Sequence, residues 1–311
     1  MSSIHHLIST HGAEQALRLI EPEQRPAFDI AARILAEEDG TMGTVYTGFC
    51  LTSLPHRRIP DDQKWRREGH RVQLQIEPGD LRVGGEIKTF GVPYGSRARL
   101  LLLFLQSEAK RTGSAEVELG PSLNSWLDRM EIPSSGKAFR DTREQLHRIM
   151  ACTLRFFWET ENGGDGNWKD SIVNGSASEV MLSGDDRQGS LWRDTLVLSP
   201  TFYAALQKHG VPIWEPAVRA LSGKSMALDI YVWLAYRLHV LQKPTPVTWA
   251  ALHGQFGIAY KHVRQFKPEF LTALEFARAV YPDAVVRVEE GGIIMTPSRP
   301  PIPERLILGR R

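Results

Sequence analysis

The sequence predicts an α+β fold: two tandem winged-helix domains over residues 85–208 and 209–311, behind an N-terminal extension (1–84) of helices and a β-hairpin. Three observations lead there. The order helix, short strand, helix, helix, strands occurs twice, without any shared residue string. The last helix of the second copy combines an apolar stripe with a cationic start. A net positive balance is concentrated in that same copy. Residues 205–311 hold 14 Lys and Arg against 8 Asp and Glu, whereas 85–204 hold 14 against 16 and 1–84 hold 10 against 12. A formal net charge of +2 therefore conceals a basic module on a near-neutral scaffold.

In the extension, Ala13–Leu19 and Ala27–Glu38 read as short helices, the second entered through Pro26, which suits a first helical turn. Thr44–Leu51 and Arg71–Gln75 have strand character, with Val72, Leu74 and Ile76 alternating with polar residues. Between them SLPHRRIPDDQKWRREGH reads as a polar loop, whose Arg57, Arg58, Lys64, Arg66 and Arg67 are either solvated or in contact with DNA. The extension gives way to the first winged-helix copy at about Gly84.

That first copy opens with Ser96–Arg111, so apolar at its centre (LLLLFL) that it must be buried on most sides. Arg97 and Arg99 in its first turn oppose the helix dipole, and so serve a salt bridge or a phosphate. Gly113 ends it and AEVEL gives a strand. Pro121 starts a helix burying Leu123, Trp126, Leu127 and Met130, and Ser134 or Ser135 caps the next. That helix turns Phe139, Leu146, Ile149 and Met150 inward, with Lys137, Arg140 and Arg143 on another face among Asp141 and Glu144. Thr153–Glu159, Ser171–Leu182 and Leu191–Ser199 read as strands, and ENGGDGNWKD as a hairpin turn.

The second copy reads SMALDIYVWLAYRLHVL (helix), PVTW (strand), AALHGQFG (helix), then YKHVRQFKPEFLTALEFARAVYP (basic helix). Trp233, Tyr236 and Trp249 belong to the core, with Tyr231 partly exposed. Val263, Phe266, Phe270, Leu274, Ala277 and Tyr281 recur at three- and four-residue steps, an apolar stripe. Lys261, His262, Arg264, Gln265 and Lys267 lie largely off it. A winged helix lays its third helix in the DNA major groove. Arg264 and Lys261 would suit guanine, whose O6 and N7 accept two bonds from Arg, and Gln265 would suit adenine. Pro268 has no N–H for the Arg264 carbonyl, so a kink or restart is expected there. Lys224, with Ser222, precedes the first helix, where the pair would grip a phosphate unless Ser222 is an ordinary cap. Lys137, Arg140 and Arg143 would position phosphates rather than read bases.

The strings MALDIYVWLAYRLHVL, VTWAALHGQFG, VRQFKPEFL and AVYPDAVVRVEEGGIIM resemble the C-terminal half of plasmid RepA-type replication initiators. GVPYGSRARLLLLFLQSEAKRTGSAEVELGPSLNSWLDRM and SGKAFRDTREQLHRI resemble the central segment of that family. The similarity is collinear over about residues 86–298. The resemblance implies an iteron-binding initiator of two winged-helix domains, dimerising through the first and binding double-stranded DNA as a monomer. Its implied partners are the host replication initiator and the replicative helicase. A transcriptional repressor of the same build, or a scaffold that has lost DNA binding, are the alternative readings.

Other classes find little support. No glycine-rich loop ends in GK[ST], so nucleotide-driven activity is not expected. No His-x-His pair accompanies a nucleophilic tyrosine, the histidines are scattered, and adjacent carboxylates occur only as loop charges such as Asp185 and Asp186. No catalysis, cofactor or metal is expected. Cys50 and Cys152 have no ligand or redox spacing, and the longest apolar run, Leu100–Leu105, is far short of a membrane span. A cytoplasmic protein without membrane partners is expected.

Overall fold

The computed structural model describes residues 3–159, 165–176 and 195–302. The chain forms two compact units: a terminal unit of Met1–Gly43 with Val211–Arg311, and a central unit of Thr44–Gly210. Residues 1–84, grouped as one extension from the sequence, are thus parted after Gly43.

In chain order the elements begin with α1 (Ser3–Ala16), α2 (Arg25–Ala36), β1 (Met42–Tyr46) and α3 (Thr47–Leu51). Strands β2 (Trp65–Gly69), β3 (Val72–Glu77), β4 (Gly79–Val83) and β5 (Glu86–Phe90) come next. Helix α4 (Gly95–Thr112), strand β6 (Glu116–Glu118), and helices α5 (Leu123–Arg129) and α6 (Gly136–Ala151) succeed them. Strands β7 (Thr153–Glu159), β8 (Asp165–Ser171), β9 (Val173–Ser176) and β10 (Thr195–Leu198) precede α7 (Pro200–His209), β11 (Gly210–Trp214) and α8 (Glu215–Ala220). The chain continues through α9 (Ser225–Val240), β12 (Thr245–Thr248), α10 (Trp249–Phe256), α11 (Val263–Ala279), β13 (Val285–Glu289) and β14 (Gly292–Thr296). The mixed α/β composition agrees with the expectation.

The central unit is built on α4, whose residues 98–106 are all buried, as the LLLLFL run requires. Gly113, in the left-handed region at φ 67°, ends it. Ser122 caps α5 and Ser135 caps α6, each side chain accepting from a backbone N–H three residues on. Two antiparallel sheets flank these helices, one ordered β2-β3-β7-β8 and one β6-β10-β9, and β4-β5 forms a separate hairpin. The inner face of the four-stranded sheet carries Leu74, Ile76, Leu154 and Phe156, all fully buried. Phe156 stacks among Tyr46, Phe49 and Trp168, with centroids 5.2–5.4 Å away.

Several local expectations are corrected here. Thr47–Leu51 is a helix, not the end of a strand; Gly48 leaves room for the Tyr46 and Phe156 rings, since a Cβ there would lie 2.5 Å from each. Trp65–Gly69, near the end of the polar loop, form β2, paired Trp65↔Ile76 through Gly69↔Val72. Residues 165–170 of the supposed turn are strand, paired with β7. Asp185 and Asp186, residues 177–182 and 191–194 of the two later predicted strands, and Arg310 and Arg311 lie outside the described residues. Arg99 is buried, its guanidinium donating to the carbonyls of Leu54, Pro55 and Gly95 at 2.7–3.1 Å.

In the terminal unit α9 packs on α11, and β12, β13 and β14 form a sheet ordered β12-β14-β13. The order helix, strand, helix, helix, hairpin is therefore present over 225–296. Helix α2 lies against the distal half of α11, where Ala27 and Ala31 meet Ala279. His5 on α1 adds a hydrogen bond from Nε2 to the Ala279 carbonyl at 2.9 Å. Tyr231 is fully buried, against expectation, because its hydroxyl accepts from the Trp214 N–H at 2.8 Å. Trp233 and Trp249 are buried and Tyr236 is half-buried.

Candidate nucleic-acid interface

The stripe predicted for α11 is its buried side. Phe266, Phe270, Leu274, Ala277 and Tyr281 are at most 1% exposed, and Val263 is half-buried. The core fixes the roll of the helix and so decides which residues face outward. Lys261, His262, Arg264 and Gln265 are all exposed. Among the described residues neither Lys261 nor Arg264 forms an ion pair. The first turn holds no acid, and no side chain caps it; His262 occupies the cap position in extended conformation. A helix start of this kind keeps its N–H groups and positive dipole end open to an anion.

Lys267 differs from its neighbours. It is half-buried, with its ammonium 4.7 Å from the centroid of the Trp249 ring. The charge sits on an aromatic face, not on a carboxylate, which stabilises its position and leaves it uncompensated. Pro268 lies inside an uninterrupted helix rather than at a restart. It is exposed at the sixth helical residue, so only the Arg264 carbonyl loses its intrahelical donor.

Two features that hold this surface are not apparent in the sequence. His253, on α10, bonds the Tyr260 carbonyl through Nε2 at 2.8 Å, and its ring meets Phe266 edge-on at 5.4 Å. The turn carrying Lys261 and His262 is thereby tied to α10. Gly257 permits this: a Cβ there would lie 2.6 Å from His253 Cδ2 and 2.8 Å from Phe266 Cδ2. Trp249 Nε1 donates to the Glu290 carbonyl at 2.8 Å, fastening the β13–β14 turn to α10. That turn carries Glu289 and Glu290, so the hairpin tip is acidic while the helix start is basic.

The remaining predicted residues lie elsewhere. Lys224, not Ser222, occupies the cap position of α9, and its ammonium lies 4.0 Å from the Phe276 centroid. In the central unit Lys137 is exposed but pairs with Asp141. Arg140 is exposed and Arg143 half-buried. Glu144 is taken up by the buried Arg148, at 2.9 Å, which also binds Asp61 at 2.8 Å. Burial alone would raise the Asp61 carboxyl, but the Arg58 and Arg148 guanidinia outweigh it and hold it below the usual carboxylate range. Of the former loop cations, Arg58 pairs with Asp61, Lys64 with Glu77, and Arg67 is buried. Among the described residues no group of three or more His, Cys, Asp or Glu is placed to hold a metal, and no helix is long and apolar enough to cross a membrane.

Comparison with known proteins agrees with the resemblance over its central part and stops short of the α11 segment. The family described as plasmid encoded RepA protein matches residues 92–250, just over half of the chain. This chain belongs to that family of plasmid replication initiators. Its solved structural neighbours include domains 2 and 3 of RctB, with a TM-score of 0.50 and 13% identity, covering 83% of this chain and 99% of that one. A second structure of RctB domains 2–3 has a TM-score of 0.45 and 13% identity, covering 80% and 93%. The first likeness concerns the fold alone. No curated protein matches the chain.

Proposed function

We propose that this RepA family member initiates plasmid replication by binding direct repeats in double-stranded origin DNA through a winged helix over residues 225–296. The observation that carries the reading is the exposed, acid-free cationic start of α11, set by a buried opposite face. In this reading Arg264 and Lys261 reach guanine edges, Gln265 reaches adenine, and His262, Lys267 and Lys224 contact phosphates. Arg140 and Arg143 on α6 add phosphate contacts from a second winged helix in the central unit. Lys137 contributes less, because Asp141 already neutralises it. The acidic tip of the β13–β14 hairpin stays out of the groove, since Glu289 and Glu290 would meet phosphate. The protein acts without catalysis of its own, self-associates to a dimer away from the origin, and brings the host initiator and replicative helicase to the opened duplex in the cytoplasm.

Footprinting on the origin of the plasmid that encodes the chain tests this. Protection of tandem direct repeats beside an AT-rich segment is expected. Protection of a single inverted repeat would replace the initiator reading with that of a repressor, and no protection would remove both.

A further inference from the structure

We propose that the outer face of the β2-β3-β7-β8 sheet binds single-stranded nucleic acid. Successive strand residues alternate between faces, so the register determines what lies side by side. Arg66 stands opposite Gln75, Gln75 opposite Arg155, and Arg155 opposite Lys169. These four form one transverse row across all four strands, spanning about 14 Å at ordinary strand spacing. The next row is Glu68, Gln73, Phe157 and Asn167. This face is open at Arg66, Glu68, Asn167 and Lys169, which are exposed, and half-buried at Gln73, Arg155 and Phe157; Gln75, which accepts from Arg66 Nε at 3.0 Å, is buried beneath its neighbours.

The chemistry of the two rows selects the ligand. Like charges directly opposed across strands are destabilising, yet Arg155 and Lys169 face each other in register. Among the described residues neither forms an ion pair. Glu77, the carboxylate on which Lys169 acts, already pairs with Lys64 at 2.8 Å and accepts from Gln75 Nε2 at 2.8 Å. A polyanion relieves that repulsion. Beside the cations, Phe157 supplies a ring on which a base can stack, with the Arg155 guanidinium 5.8 Å from its centroid. Gln73 and Asn167 flank Phe157 with amide donors and acceptors. A cationic track beside an aromatic ring is how proteins hold unpaired strands. A duplex would keep its bases away from Phe157. Glu68 and Glu159 mark the sheet end where the strand would leave.

The face is distinct in sequence from the α11 surface, so the two can be tested separately. Fluorescence anisotropy of the full chain with labelled oligo(dT) 20-mer, at 50 and 200 mM salt, should show salt-sensitive binding. Arg155→Gln with Lys169→Gln should weaken it at least fivefold and flatten the salt slope by about 1.4, two phosphate contacts. Arg155→Lys with Lys169→Arg, which keeps the charge, should retain it. Phe157→Leu should lose about tenfold while Phe157→Trp binds as wild type. Arg264→Ala should leave oligo(dT) binding unchanged. Absence of oligo(dT) binding by the wild type, wild-type binding by the Gln pair (as expected if the face docks a protein instead), or loss in Arg264→Ala would each overturn the proposal.

Discussion

Arg264→Ala tests the proposed duplex-reading surface with least structural side effect. Arg264 is exposed at the second residue of α11 and pairs with no acid among the described residues. Its removal should therefore change stability by no more than about 0.5 kcal/mol. Loss of a bidentate contact to guanine is worth about 1–3 kcal/mol, a fall of roughly 5- to 150-fold in affinity for the cognate repeat. Lys267→Ala provides the contrast. It should shorten the salt slope by about 0.9, one phosphate, and also cost roughly 0.5–1 kcal/mol of fold stability, because its ammonium lies on the Trp249 ring. Anisotropy titrations against cognate and scrambled duplexes from 50 to 200 mM salt, beside thermal melts, separate the two effects. Arg264→Ala should lose discrimination with an unchanged melt. A variant that still prefers the cognate repeat by the wild-type ratio would refute the assignment of this residue.

Other outcomes probe what holds the two units. Phe266→Ala should destabilise the terminal unit by about 3–5 kcal/mol, since the ring is fully buried against Phe270, Tyr260 and His253; denaturant titration measures this. Arg148→Leu should cost about 1–3 kcal/mol in the central unit through the lost bonds to Asp61, Glu144 and the Val92 carbonyl, Asp61 keeping its 2.6 Å pair with Arg58, and a loss under about 0.5 kcal/mol in urea unfolding would contradict it. His147 is depressed to about 4 by burial, with Arg143 and Lys88 adding to it. A depressed histidine favours the folded state only while neutral. Its contribution is thus complete above pH 6.5 and declines as pH falls towards 4, by roughly 3 kcal/mol over that window. His147→Gln should flatten the stability–pH curve there, as measured by urea unfolding at stepped pH.

Much of the architecture is legible in the sequence because its helices repeat a strong period. The α11 stripe names the buried side residue by residue, and with it the outward cations. Helix α4 announces its burial through LLLLFL, and serine caps mark two starts. What escapes depends on partners distant in sequence. Trp65–Gly69 looks like loop because its charges alternate without an apolar row; only pairing with β3 makes it a strand. Gly84 and Gly85 suggest a boundary, whereas their left-handed φ of 62° and 84° turn the β4–β5 hairpin. Tyr231 reads as amphipathic, and only the fold supplies its hydroxyl with the Trp214 amide as a partner. At the interface, types and spacing indicate Lys261, Arg264 and Lys267, but no local pattern indicates that His253 anchors the turn or that Lys267 rests on Trp249. The cation row on the sheet is legible only once the strands are in register.

The terminal unit draws on residues 1–43 and 211–311, and the bond from His5 to Ala279 joins residues 274 positions apart. During synthesis the central unit has its whole sequence available well before α11 leaves the ribosome. The early helices α1 and α2, which pack on each other, must wait for α11 before His5, Ala27 and Ala31 can meet Ala279. Loop closure on that scale is slow, so the nascent amino-terminal segment spends this interval without the surface it will cover. A product that stops before residue 263 has the whole sequence of the central unit and lacks α11. The terminal unit therefore closes only after α11 has been made, whereas the central unit needs no residue beyond 210.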